Sequence, residues 1–369
     1  MKLYTEIKIE ELSQKIKSGD KIFSIGSCFA DQIGELLNRY GFDCCSNPLG
    51  TQYNACSIFN TLKRLYDISQ LTDIQVVNQS GKELREKSIG SYPFFTSNDI
   101  LERPDGLFVT FSHHSKCGSF NKEDFLKRAN EELLKSAEKL KSADYLIITL
   151  GTSFIYKNKC FNLKNGLVNL NESTIYSEEG LRSSVSKNDK FKDNPHDASE
   201  KEEFTIEKYC LDVVSNCHKF PPSQFTKCYL DIDYCIQILR EIVKLFSNKK
   251  IILTVSPIRH LGDGAHLNQI SKSTLLIAIE RVISSYKDSG NFSLCNLYYF
   301  PSYEIMMDEL RDYRWYSEDM SHPTPQAVKY IFEKFRECCI DKESYSAMDK
   351  AFKEYLLSSH IPLSDRYKV

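Results

Sequence analysis

The 369-residue sequence contains no apolar run of the roughly 20 residues needed to cross a bilayer, so no membrane span is expected. It also has no excess of charge: Lys and Arg number 48, Asp and Glu 50, and the formal net charge is −2. A chain so balanced has no electrostatic reason to seek nucleic acid or an acidic membrane surface. None of the 13 cysteines stands in a C-x-x-C pair, so the sequence shows no zinc-type spacing, and neither a metal nor a cofactor is expected. Cys44-Cys45 and Cys338-Cys339 are vicinal pairs, which seldom bridge to themselves. The opening MKLYTEIKIEELSQKIKSGD is amphipathic and lacks the apolar centre of a signal peptide. A cytoplasmic protein with reduced thiols is the expectation.

Hydrophobic residues make up 41% and charged residues 27%, the composition of a globular chain with a sizeable core. Its patterning is that of an α/β protein. Lys21 to Ile25 is an apolar strand, and CFADQIGELLNRYG after it spaces Phe29, Ile33, Leu36, Leu37 and Tyr40 as a helix ended by Gly41. FDCCS then reads as a second strand, a β-turn-α-β opening of a doubly wound parallel sheet. Further strands are expected at Leu107–Phe111, Asp144–Leu150, 251–256 and Asn296–Phe300, and helices at Lys122–Lys141, Asp231–Phe246, Ser271–Ser285 and Thr324–Cys338. The fold class expected is a three-layer α/β sandwich around a parallel sheet. From Lys157 to Glu203 the chain turns polar and aperiodic, too long for a plain connection, and is read as an inserted lobe or lid. One domain over 1–340 is expected, with the insertion spanning 157–225 and a helical extension over 341–369.

Open α/β sheets place their sites at the carboxyl ends of strands. Three such ends carry chemistry-bearing residues: Gly26-Ser27-Cys28, Gly151-Thr152-Ser153, and the Asp319-Met320-Ser321-His322 loop before the last long helix. A residue after Gly26 lies at a helix N-terminus, where free N–H groups favour an anion and a thiol is expected to have its pKa lowered. Read alone, Ser27 is a helix cap and Cys28 a packed core residue. Asp319 and His322, three apart, suit a carboxylate that orients an imidazole against a nucleophile.

The residues G-S-C-F-A at 26–30 resemble the motif that names the GSCFA family. NPLG at 47–50, LGTS at 150–153, NCHK at 216–219, TVSPIRH at 254–260 and FPSYEIMMDELRDYRWYSEDMSHP at 300–323 are also similar to that family. The resemblance implies placement with SGNH (GDSL-like) hydrolases, a flavodoxin-like sheet and ester-directed chemistry. Laid on the Gly-Asp-Ser block of those enzymes, Cys28 falls on the nucleophile position, whereas residue chemistry by analogy nominates Ser27. Where that pattern has Gly-x-Asn, this chain has Gly151-Thr152-Ser153. The oxyanion donors are therefore sought among Gly50, Gly151, Ser153 and Asn216. His114, His218, Lys219, Arg259, His260, Arg311 and Arg314 are candidate substrate-binding residues.

The expected activity is that of an esterase or O-acyltransferase acting on an O-acetylated carbohydrate or a related small ester, through a covalent acyl-enzyme. The alternative is a non-catalytic carbohydrate- or polymer-binding protein on a decayed scaffold of the same kind. Residues 183–203 (SSVSKNDKFKDNPHDASEKEE) hold almost no large apolar groups and cannot offset the entropy of ordering. Limited proteolysis should cut within 183–203 and leave a folded, associated remainder; a protected segment would remove the idea of a mobile lid.

Overall fold

The computed structural model describes residues 5–71, 93–159, 205–288 and 296–359. Its centre is a five-stranded, wholly parallel sheet built from β1 (Lys21–Gly26), β2 (Asp43–Ser46), β5 (Tyr145–Leu150), β9 (Lys250–Val255) and β10 (Leu297–Phe300), in the spatial order β10-β9-β5-β1-β2. Counting only these strands, the order is 2-1-3-4-5, the flavodoxin-like arrangement.

Alternation along the strands sorts the core into two layers. Phe23, Ile25, Leu146, Ile148, Leu150, Leu253 and Val255 face one side, where they meet α2 (Ala55–Ser69), α3 (Lys122–Ser142), α5 (Ile232–Leu245) and α6 (Ala265–Asp288). Ile22, Tyr145, Ile147 and Ile252 face the other, against α1 (Cys28–Arg39) and α7 (Pro325–Cys339). Both faces are buried, so the strands read as continuous apolar runs rather than alternating ones. The C-terminal α8 (Tyr345–Ser359) lies on α1, with the rings of Phe352 and Tyr40 stacked at 4.5 Å.

One expectation needs correction. The segment 107–111 contributes only β4 (Phe108–Val109), which pairs antiparallel with β3 (Leu101–Glu102) away from the central sheet. The turn at Arg103–Leu107, with Gly106 at φ 79°, folds it back on its own neighbour before any crossover can carry it to the sheet. Of the region 157–225, residues 157–159 and 205–225 are among those described. β6 (Phe154–Asn158) leaves the end of β5 directly and joins β7 (Val213–Val214) and β8 (Phe225–Tyr229) in a small antiparallel sheet, with the short α4 (Ile206–Cys210) beside it. The stretch 183–203 lies outside the described residues. The α2 helix had no counterpart in the strand and helix reading, although Ile58, Phe59, Leu62, Leu65 and Ile68 mark its buried face.

The switch point falls between β1 and β5, and there the strands come very close. Gly26 has φ 142°, and a Cβ on it would stand 2.1 Å from the carbonyl oxygen of Thr149. The Ser27 N–H donates to that same oxygen at 3.1 Å. Gly26→Ala should therefore cost about 3 kcal/mol or more, through a backbone clash rather than lost contacts, measured as a lowered midpoint of urea unfolding. A variant as stable as the parent would show that the elbow has room to relax.

Candidate active site

The elbow between β1 and α1 is held from outside by one side chain. Asn47, at the end of β2 in a left-handed conformation (φ 42°), accepts from the Gly26 N–H (2.7 Å) through its Oδ1. Its Nδ2 donates to the Ser27 carbonyl (3.4 Å) and to the Asp31 carboxylate (2.7 Å). Asp31 also pairs with Lys116 at 3.3 Å. Asn47 was absent from the residues chosen by sequence, although it stands in the quoted NPLG block.

Ser27 and Cys28 are separated clearly by this geometry. Ser27 is fully buried; its Oγ accepts from the Phe29 N–H (3.3 Å) as helix cap and donates to Ser256 Oγ (3.0 Å). Cys28 is half-buried, and its Sγ stands 3.6 Å from His322 Nε2. The other ring nitrogen, Nδ1, donates to Asp319 Oδ2 at 2.5 Å. Asp319 Oδ1 accepts from the amides of Ser321 and His322, each at 2.9 Å. Those two amides and the imidazole hold the Asp319 carboxyl at about 2, so it is ionised across the working range.

The loop that carries this pair is fixed at both ends. Tyr316 and Pro323 face each other across an isolated bridge, the Ser317 N–H donates to the His322 carbonyl (2.8 Å), and the Thr324 N–H donates to the Trp315 carbonyl (2.8 Å). The Arg259 N–H, from the loop after β9, donates to the Ser321 carbonyl at 3.1 Å. Arg259 thus touches the Asp319–His322 loop through its backbone.

The Cys28 thiol is not in the state expected of it. Burial pushes its pKa up; its own amide, Lys116 and the Phe29 amide oppose this without reversing it, and Asp31 adds to the rise. Desolvation outweighs the helix N-terminus here.

The expected oxyanion donors do not converge on the sulfur. The Gly50 N–H donates to Asn47 O (2.7 Å), and the Gly151 and Thr152 N–H groups both donate to Tyr53 O (2.8 and 2.9 Å). Ser153 is fully buried, its amide on Ser271 Oγ at 2.7 Å. Asn216 turns its side-chain oxygen to the His218 amide at 2.7 Å, within its own turn. The amides of Gly50, Gly151 and Ser153 are thus occupied by the close packing that builds the strand ends, whereas the Ser153 hydroxyl is buried with no hydrogen-bond partner among the described residues. The N–H of Cys28, first in α1, has no intrahelical acceptor and lies against its own sulfur.

The candidate substrate-binding residues divide. His114 sits over Gly50, where a Cβ would come within 2.3 Å of its own Cβ, and its Nδ1 accepts from the Lys116 N–H at 3.2 Å. His218 is a buried strut: Nε2 donates to the Thr110 carbonyl and Nδ1 accepts from Ser115 Oγ, both at 2.8 Å. Both of its nitrogens are taken, which corrects its assignment to substrate. Lys219, next to it, is exposed in a left-handed conformation (φ 62°). Arg311 and Arg314 are exposed and pair with Asp308 and Asp312 on their own segment, each at 2.9 Å, so they form surface pairs instead of a binding wall. His260 faces Tyr53 and Gly151.

Lys272 on α6 was not singled out by sequence. It is 1% exposed, and its Nζ donates to the carbonyls of Gly151 (2.7 Å) and Ser256 (2.8 Å), tying together the ends of β5 and β9. Burial brings its pKa down to about 7. The signal was its place on the apolar stripe, in step with the buried Leu275 and Ile279. Among the described residues, no group of three or more His, Cys, Asp and Glu side chains is placed to hold a metal ion. Nor, among them, is any helix long and apolar enough to cross a membrane.

Three histidines are held neutral by burial: His113 at about 3, and His218 and His260 each at about 4, against an ordinary 6.5. The unfolded chain takes up these protons as the pH drops through 6.5, while the folded chain does not until about 3 to 4. Stability contributed by the neutral forms is therefore complete above pH 6.5 and is lost progressively between that value and about 4. The melting temperature should fall steadily across this window; a flat profile would mean that these rings are open to solvent.

A model of the GSCFA family matches residues 21–179 and 205–335. No curated protein and no solved structure matches the chain. The matched residues include the elbow, the β5 end and the Asp319–His322 loop, and they make up most of the sequence: the chain belongs to the GSCFA family.

Proposed function

We propose that this protein is an acyl-transferring enzyme of the SGNH type, with Cys28 as nucleophile, His322 as general base and acid, and Asp319 as the group that orients His322. The observation that carries this reading is the 3.6 Å approach of Cys28 Sγ to His322 Nε2, with Asp319 on the opposite ring nitrogen. Asp319 accepts from Nδ1–H, so Nε2 presents its lone pair to the thiol. Because burial keeps the sulfur protonated at rest, proton transfer to His322 accompanies attack on the substrate carbonyl rather than preceding it. The acyl group passes to sulfur, and His322 returns the proton to the leaving alcohol.

Both halves of the dyad are open to a substrate: the side chains of His322 and Asp319 are 45% and 51% exposed. An O-acetylated carbohydrate or a related small ester suits a site that is open on the side of its base. Water as acceptor makes the protein an esterase, and a sugar hydroxyl makes it an O-acyltransferase. The flavodoxin-like strand order, with the elbow at its switch point, supports the same reading.

Turnover of a small aryl acetate tests it. Cys28→Ala should lower kcat by about 10⁴ to 10⁶, whereas Ser27→Ala should cost only about 1 kcal/mol of stability as a lost cap. His322→Ala should be as damaging as Cys28→Ala at an unchanged melting temperature, and Asp319→Asn less so, though still severe. Iodoacetamide should label Cys28. Parent-level turnover in both elbow variants would rule out a covalent mechanism and leave the binding-protein alternative.

A further inference from the structure

The loop after β9 holds a side chain that the fold leaves unused. The His260 N–H donates to Asn268 Oδ1 at 2.9 Å, which anchors the loop on the first turns of α6. Its ring meets Tyr53 edge-on, 5.7 Å between centroids. Its Nε2 is cut off from solvent and has no hydrogen-bond partner among the described residues. A buried polar atom left unpaired costs about 1–3 kcal/mol, and native folds seldom carry that cost without a reason.

That nitrogen lies at the carboxyl end of β5. It stands 3.3 Å from where a Cβ on Gly151 would be, so the bare Cα at the end of β5 is what gives it room. Tyr53, on which the ring rests, and Lys272, beneath Gly151, both lie within electrostatic range of the Cys28 sulfur. His260 itself lies within range of His322 and Lys272. At this same place the amides of Gly50 and Gly151 are occupied, so the Cys28 N–H lacks the companion donor that an acyl oxyanion needs.

We propose that His260 is a catalytic residue whose Nε2–H binds the acyl oxygen of the substrate, alongside the Cys28 N–H. This rests on the acyl-transfer reading above. As Sγ bonds to the carbonyl carbon, the π pair moves onto oxygen and the thiol proton goes to His322 Nε2. His260 keeps its own proton and donates only a hydrogen bond to the oxyanion. Collapse restores the carbonyl and breaks the bond to the leaving alcohol, which takes the proton from His322. Burial and the neighbouring Lys272 keep the His260 imidazole neutral, at about 4, so it does not compete for that proton. The buried ammonium of Lys272, fixed on two strand-end carbonyls, adds a favourable field for the developing negative charge.

Two reactions at one sulfur separate this role from a structural one. Acetylation by an aryl acetate passes through an oxyanion, whereas alkylation by iodoacetamide does not. His260→Phe keeps a ring against Tyr53 and removes the donor. Single-turnover acetylation of Cys28, followed by mass spectrometry, should slow about 10² to 10³-fold in this variant, with alkylation within about twofold of the parent. His260→Gln, which restores an N–H, should recover at least about tenfold of the loss. Acetylation unchanged in His260→Phe, or both reactions falling together, overturns the assignment of His260 and leaves the Cys28 mechanism standing. A parent protein that is alkylated at Cys28 but never acetylated removes the acyl-transfer reading, and this inference with it.

Discussion

The site depends on how closely β1 and β5 approach at their carboxyl ends. With the Thr149 carbonyl occupying the space of a Gly26 side chain, the chain leaves β1 in a conformation open to glycine and turns at once into α1. From that one contact follow the burial of Ser27 as cap, the emergence of Cys28 at the helix start, and the need for Asn47 to satisfy the exposed backbone of the turn. The next strand repeats the theme: Tyr53 takes the amides of Gly151 and Thr152, while Lys272 takes the carbonyls of Gly151 and Ser256. Strand ends that pack this tightly occupy their own backbone amides, and the groups left without a partner are side chains such as Ser153 Oγ and His260 Nε2.

The sheet was legible because a parallel strand buried on both faces can hardly be written without a run such as YLIITL or KIILTV. Of the helices that cover it, α1, α3, α5, α6 and α7 announced themselves by period, whereas α2 did not. What periodicity could not settle was the pairing partner: Phe108–Val109 is as apolar as a short core strand but folds onto its nearest neighbour through a tight turn. The Asp319–His322 pair was legible too, because an acceptor three residues before an imidazole has a local geometry of its own. The choice between Ser27 and Cys28 was not, since both follow the same glycine and only the rotation of the first helical turn distinguishes them. The oxyanion donors misled for a related reason. A glycine in sequence shows where the backbone is bare, not whether its N–H is already engaged.

Charge within the site is graded with depth. Asp319 is open to water and fully ionised, Cys28 is half-buried with its proton held, and Lys272 lies in the dry floor with its charge only weakly retained. In the proposed mechanism, this gradient sets the Lys272 amine near where a carbonyl oxygen would gain electrons, and the Asp319 carboxylate behind the imidazole that would gain a proton. Under the proposed mechanism, attack would move charge along that field.

Cys28 and His322 lie 294 positions apart, and no hydrogen bond of the elbow involves the segment that supplies the base apart from this single contact. A ribosome therefore completes β1, α1 and most of the sheet while the sulfur is still without its proton acceptor. The thiol acquires its partner only once the 316–323 loop has been made and set against the elbow and the loop after β9. A chain that stops short of residue 316 therefore lacks the contact on which the proposed chemistry rests.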